Sequence, residues 1–355
     1  MSRAVTLAWV VFLFTLPLWM DNLYFLHVLI MAGIFIVAAM SLNLLLGYTG
    51  QLSLGHVAFF GIGAYVSSLC SLGFEIHVFD VPVGLAPKPV WLSMIVAVVF
   101  AGLCGWMIGK ISFKVRGAYF VIVSVSFAEV TRLVALNWLE LTQGPMALNN
   151  IPFLKLWLPG IGDIDVLGKM PNYYLVLVVA VVTYVIIRRL VHSRAGRAMI
   201  ALRENEPLAT SVGIDVTRFL VLATVVSAAL AGLAGAVYAQ YVRIVDPDVF
   251  LFIYTVTMVI MVVTGGKGTL AGPIVGGLIF GILPELLRGF EVQPEIQWVV
   301  YGVLMILIVY FLPEGIVPAV RDGWRRVGGR SGAPPAQPAP ATPAGATPAT
   351  AEASP

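Results

Sequence analysis

The run Gly47-Tyr48-Thr49-Gly50-Gln51-Leu52-Ser53-Leu54-Gly55-His56 sets three glycines and several polar side chains directly against a long apolar stretch. Hydrocarbon penalises such groups, and polar side chains at membrane depth normally face a protein interior or a wet cavity. Gln51, Ser53 and His56 are therefore candidates for lining a passage, and Asn43 on the preceding apolar stretch joins them. The same residues also fit a turn at the membrane surface with a locally satisfied histidine. His56 is not read as a metal ligand, because no second His, Cys or carboxylate stands at ligand spacing.

Glu129 and Arg132 lie three residues apart, hence on one helix face, inside another apolar stretch. Each charge costs a few kcal/mol in the membrane and a partner lowers that cost. A structural ion pair and a gate or solute contact both fit, and Ser126, one turn earlier, extends the candidate set. The charged run Gly196 to Ile214 carries Arg197, Arg203, Glu204, Asn205 and Glu206, with Met199, Leu202 and Leu208 as apolar anchors for a partner's groove. Its Arg197 to Val212 part reads as a short amphipathic helix. An interfacial helix resting on anionic lipid through Arg194, Arg197 and Arg203 fits as well. Gly265-Gly266-Lys267-Gly268-Thr269 is the nearest approach to a phosphate-binding loop. It fails because Met261 stands where that pattern needs Gly and Gly268 follows Lys267 in place of Ser or Thr. No residue is assigned to catalysis, to a cofactor or to a metal, and hydrolysis, if it drives this chain, takes place in another.

The elements that must hold these residues follow from composition. Of the 355 residues 59% are hydrophobic and 11% charged, against roughly 25% charged in a soluble domain. Stretches such as Trp91 to Ile111 and Tyr173 to Ile187 are apolar all round, which predicts lipid-facing helices. A crossing needs about 20 mostly apolar residues, because only a helix satisfies its own backbone in hydrocarbon. The expected fold is an all-α polytopic membrane protein with about ten spans, near 4–20, 23–46, 54–73, 90–110, 117–136, 172–190, 217–241, 250–265, 269–287 and 296–312. Whether 47–73 and 265–287 cross fully or re-enter is left open. Fifteen of the 21 Lys and Arg fall in the ends and loops that are inner if both termini are cytoplasmic, as the positive-inside rule asks. That asymmetry accounts for the net charge of +3 without nucleic acid as a partner.

Cys70 and Cys104 lie in spans and read as packing residues. The first apolar stretch, behind Arg3, lacks a small-residue cleavage pattern and reads as a span. The outer segment from Asn137 to Pro171, punctuated by Gly and Pro, is a candidate lid or docking surface. Residues 331–355 are almost wholly Ala, Pro, Thr, Ser and Gly, a composition that predicts a disordered tail. Gly47, Gly50, Leu52 and Gly55 have counterparts in Gly265, Gly268, Leu270 and Gly272. Such glycine-interrupted repeats occur in transporters, and chance matches in a Gly-rich chain fit equally.

Ser41 to Tyr65, Arg116-Gly117-Ala118-Tyr119-Phe120 with Phe127, Glu129 and Arg132, the Arg197 to Gly213 segment, Thr142, Gly144 and Pro145, and Gly265, Gly266, Gly268, Gly272, Pro273, Pro284 and Glu285 together resemble the branched-chain amino acid ABC transporter permeases. The likeness runs to the M-type subunits of leucine/isoleucine/valine systems and covers residues 23–312. It implies a non-catalytic permease domain over 1–320, in a bacterial inner membrane. It further implies a second, H-type permease subunit, two ATP-binding cassette subunits and an extracytoplasmic solute-binding protein. It places Arg197, Arg203, Glu204, Asn205, Glu206, Ala209 and Gly213 on the loop, about 191–216, that couples to the ATP-binding subunits. Pro207 followed by Leu208 departs from the family pattern, since proline is tolerated at a helix start and breaks a bond inside one. Within the family the solute could also be urea or a short amide. Outside it, an ion-coupled carrier working through Glu129 or His56 is the other reading.

Overall fold

The computed structural model describes residues 15, 17, 23–78, 81–113, 119–158, 162–165, 168–289 and 293–327. The expected first span, apart from residues 15 and 17, the 331–355 tail and the Arg116 to Ala118 part of the family motif lie outside the described residues.

Helix formation follows the apolar runs. α1 (Leu23–Leu46), α2 (Val57–Leu72), α3 (Val90–Ser112), α4 (Tyr119–Asn137), α5 (Lys169–Val191), α6 (Arg194–Glu204), α7 (Glu206–Ser211), α8 (Val216–Val242), α9 (Phe252–Gly265), α10 (Gly272–Gly289), α11 (Pro294–Phe311) and α12 (Ile316–Val327) succeed one another. Two hairpins interrupt them: β1 (Phe74–Val78) pairs antiparallel with β2 (Val81–Leu85), and β3 (Lys155–Leu158) with β4 (Gly162–Asp165). The helical class therefore holds, with two short hairpins in the loops between α2 and α3 and between α4 and α5 that the sequence did not indicate.

Among the described residues α1, α3, α4, α5 and α8 are long and apolar enough to cross a membrane. At about 1.5 Å per residue, the 16 residues of α2 and 14 of α9 reach about 24 and 21 Å, short of the about 30 Å of hydrocarbon. Both shorter helices adjoin a glycine-rich loop, 47–55 and 265–272 respectively, which is where the sequence left a full crossing and a re-entrant turn open.

Side-chain size is sorted inside out. On α3, Trp91, Ile95, Val99, Leu103 and Trp106 are exposed, while Ser93, Ala97, Ala101 and Gly105 turn inward. Lipid is as apolar as leucine, so helices associate through small residues that let backbones close. The same logic fills α8 with Ala228, Ala231, Gly232, Gly235 and Ala239, all buried, and α8 packs along α3 and α2. A Cβ on Gly63 of α2 would collide with the backbone of Gly232. α1 runs through the centre, flanked by α5, α8, α9 and α10. Ile30, Ile34, Leu42 and Leu44 of α1 are fully buried. The chain divides into two units, Met1–Ala319 and Val320–Pro355; the second contributes the later part of α12 to the described residues.

Candidate functional site

The two glycine-rich loops meet. Asn43, one turn before the end of α1, donates from Nδ2 to the Thr269 carbonyl at 2.9 Å and accepts from the Gly268 amide on Oδ1 at 2.9 Å. One side-chain amide thus satisfies two backbone groups that helix breaks would leave orphaned. Gly268 has φ +73, and a Cβ there would sit 2.7 Å from Nη1 of Arg203 and 2.8 Å from the Gly47 carbonyl. Glycine is required both by the left-handed backbone and by the space.

Arg203, on α6, reaches this junction. Its Nη1 donates to the Gly47 carbonyl at 2.7 Å, and its other nitrogens face Glu204. Gly50, at φ +73, lies under the arginine stem, where a Cβ would stand 3.1 Å from Cγ. Burial pushes the nearby Tyr48 phenol up to about 12; Tyr184 adds to the rise and the Arg203 guanidinium opposes it. Tyr48 is therefore neutral at any physiological pH. A void of about 10 Å³, room for one water, lies between Asn43, Met40, Tyr184, Ile187 and Leu270.

The segment expected as one amphipathic helix is two. Ser193 caps α6 by accepting from the Gly196 amide at 3.3 Å, and Asn205 caps α7 by accepting from the Leu208 amide at 3.0 Å. Pro207 sits in the first turn of α7, where its missing N–H has no helical partner to lose. Two of the three expected anchors are corrected. Met199 is fully buried near Leu45 and Ala223, and Leu202 is buried with Phe113, Phe120 and Leu220. Both pin the segment to its own chain. The exposed apolar pair is instead Leu208, 62% accessible, and Val212, 72% accessible. Arg197, Glu204, Asn205 and Gly213 are exposed, Glu206 is half-buried and Ala209 is buried.

The expected passage-lining residues form two groups that the structure does not bring together. Asn43, Ser53 and His56 are buried and Gln51 is half-buried at the loop. Nε2 of His56 lies 2.8 Å from the Ser41 hydroxyl, which itself donates to the Ala38 carbonyl, so the imidazole packs within the helix bundle. The Ser41 carbonyl accepts from the Ser227 hydroxyl at 2.5 Å. The Leu54 and Gly55 amides donate to the Ser124 hydroxyl at 3.1 and 3.3 Å, bringing α2's entry onto α4. Ser126 and Glu129 stand on the exposed face of α4, with Tyr119, Ile122 and Leu133. Arg132 pairs with Glu129 at 3.1 Å and faces Asp248 at 3.7 Å. Asp248 belongs to the turn Pro247–Phe250, at the opposite end of the bundle from Arg203. That partner was missed because 116 residues of sequence separate it from Arg132 and nothing in its neighbours marks it.

The described residues include no cluster of three or more His, Cys, Asp or Glu able to hold a metal. Cys70 and Cys104 are both free thiols.

A family model described as branched-chain amino acid transport system permease component matches residues 24–309. The chain is 30% identical to the high-affinity branched-chain amino acid transport system permease protein LivM of Salmonella typhimurium, over 82% of this chain and 69% of that protein. It is 25% identical to the probable branched-chain amino acid transport permease protein LivM of Methanocaldococcus jannaschii, over 82% and 92%. To the high-affinity branched-chain amino acid transport system permease protein LivH of Escherichia coli it is 27% identical, over 79% and 89%. No solved structure matches. The matched range takes in both glycine loops, the Arg203 segment and the α4 ion pair, and the chain belongs to the family of branched-chain amino acid transport system permease components.

Proposed function

We propose that this chain is a permease subunit of an ABC importer and forms part of the route by which branched-chain amino acids cross a bacterial inner membrane. The observation that carries the reading is the family match over residues 24–309, unbroken across every element that holds the candidate site. Likeness to both LivM and LivH proteins supports a system with two related permease chains, of which this is the M-type member. Two ATP-binding subunits and an extracytoplasmic binding protein complete it.

In this reading residues 1–320 form the membrane domain, both termini and the Arg203 end are cytoplasmic, and the 331–355 tail is dispensable. The segment from Arg194 to Gly213 has two sides with different duties. Leu208 and Val212, an exposed apolar pair four residues apart on a segment that also exposes Arg197, Glu204 and Asn205, dock into a groove of the ATP-binding subunit. Arg203 points the other way, and its bond to Gly47 beside Gly268 carries movement of the segment to the loops that end α1 and α9. Ser126, Glu129 and Arg132 cannot face lipid cheaply, so the exposed side of α4 meets the second permease or a wet path between the two.

The test is uptake of labelled leucine by cells lacking this chain and by the same cells with it restored. Restored, energy-dependent uptake that isoleucine and valine block is the expected result. Competition by urea alone, or uptake that survives ATP depletion, would refute the assignment.

A further inference from the structure

The exposed side of α5 changes character along its length. Val178, Val182 and Val185 are exposed and follow one another at intervals of four and three residues, so they share a face of the helix, and Arg189 continues that line. Val181, Val185, Arg188 and His192 form a parallel line beside it, also exposed. An apolar stripe on a helix long enough to cross the membrane thus runs straight into a cationic end. From Val178 to Arg189 the stripe measures about 16 Å at 1.5 Å per residue, close to the about 15 Å of hydrocarbon in one leaflet.

The elbow between α5 and α6 concentrates more charge there. Arg194 and Arg197 are exposed as well. The sequence from Lys169 through Arg203 holds no Asp or Glu, and Arg188, Arg189, Arg194 and Arg197 form no ion pair among the described residues. Two bonds tie the elbow together. A carbonyl only accepts, so the His192 ring donates from Nδ1 to the Arg188 carbonyl, at 2.7 Å, and Arg197 donates from Nη1 to the His192 carbonyl at 3.4 Å. Arg188 and Arg189 suit the carbonyl end of α5, whereas Arg194 and Arg197 open α6 with no acidic residue in its first turn, where the helix dipole repels cations. The elbow therefore presents positive charge that nothing in the described residues offsets.

We propose that the α5–α6 elbow binds an anionic phospholipid, with Arg188, Arg189 and Arg194 around the phosphate and an acyl chain along the stripe from Val185 to Val178. Clustered arginines just past the end of a membrane helix attract acidic headgroups, and the stripe is what selects a lipid over other anions. A soluble partner reaches the arginines and not the valines, and a free phosphate leaves the valines uncovered. A second membrane chain on the stripe would have to bring carboxylates to the level of Arg188 and Arg189. The site does not depend on which solute is carried. Its consequence does rest on the coupling reading: α6 takes Arg203 to Gly47, so a lipid held at the elbow braces the segment that transmits movement.

The test places a bimane on Ile186→Cys, beside the stripe, in a Cys70→Ala, Cys104→Ala chain within a complex otherwise free of cysteine. The complex is reconstituted in nanodiscs containing phosphatidylglycerol or phosphatidylcholine that carries a doxyl quencher on its acyl chain. At equal mole fraction, phosphatidylglycerol quenches at least threefold more strongly than phosphatidylcholine, Arg188→Gln with Arg189→Gln makes the two equal, and millimolar glycerol 3-phosphate does not relieve the quenching. If the double variant fails to assemble, Arg188→Gln and Arg189→Gln are made singly and each lowers the ratio. Equal quenching by the two lipids in the parent, or a ratio unmoved by the substitutions, overturns the proposal. Relief by glycerol 3-phosphate overturns it in favour of a free anion site, and quenching by neither lipid shows that another protein chain covers the stripe.

Discussion

Asn43 shows how much one side chain carries when helices break inside a membrane. Both ends of its amide are occupied by the backbone of the 268–269 loop, which has no other partner within its own helices for these groups. Asn43→Leu keeps the volume and orphans two backbone groups at about 1–3 kcal/mol each. We expect a clearly lowered unfolding midpoint in nanodiscs with the chain still inserted; an unchanged midpoint would refute the role of the amide. The sequence marked Asn43, Ser53 and His56 as polar residues at membrane depth and so identified where hydrocarbon is excluded. It could not distinguish a polar side chain that faces a passage from one that satisfies backbone, because both obey the same solvation rule. Gly268 was visible as half of a glycine repeat, whereas Asp248 carried no local signal: an aspartate in a turn is ordinary until Arg132 is seen beside it.

Among the elements, the α6–α7 pair departs most from expectation. Periodicity over Arg197 to Val212 implied one helix, yet the Asn205 cap and Pro207 restart the chain in a new direction. Rotating the axis there hands Met199 and Leu202 to the interior and leaves Leu208 and Val212 outside, a distinction that spacing alone does not hold. Leu208→Glu with Val212→Glu is expected to leave membrane levels intact, release the ATP-binding subunits on purification and cut uptake at least tenfold. Met199→Ala should instead cost about 2–5 kcal/mol of stability. Unchanged co-purification in the double variant would show that the partner docks elsewhere. The long helices were legible almost to the residue, since unbroken apolar runs have one structural solution in lipid. The β1–β2 and β3–β4 hairpins were not, because four- and five-residue strands bounded by Gly and Pro read like any irregular loop.

For the molecule as a whole, charge asymmetry and chain ends make one orientation testable. Asn149 and Ser211 are exposed at opposite ends of the bundle. Asn149→Cys should react with an impermeant maleimide on intact spheroplasts and Ser211→Cys only after permeabilisation; the reverse pattern would invert the orientation. The span count was less legible than the span positions, because α2 and α9 are apolar enough to enter hydrocarbon and too short to cross it unaided. The grip of Asn43 on Gly268 spans 225 residues of sequence, and this bears on how the protein is made. At about 5–20 residues per second of synthesis, the amide waits about 10–45 s after its own emergence before its partners exist. Throughout that interval the amide is without the loop that holds it in the finished fold. Until the 268–269 loop is made, interfacial water at the cytoplasmic end of α1 has to answer the amide in its place.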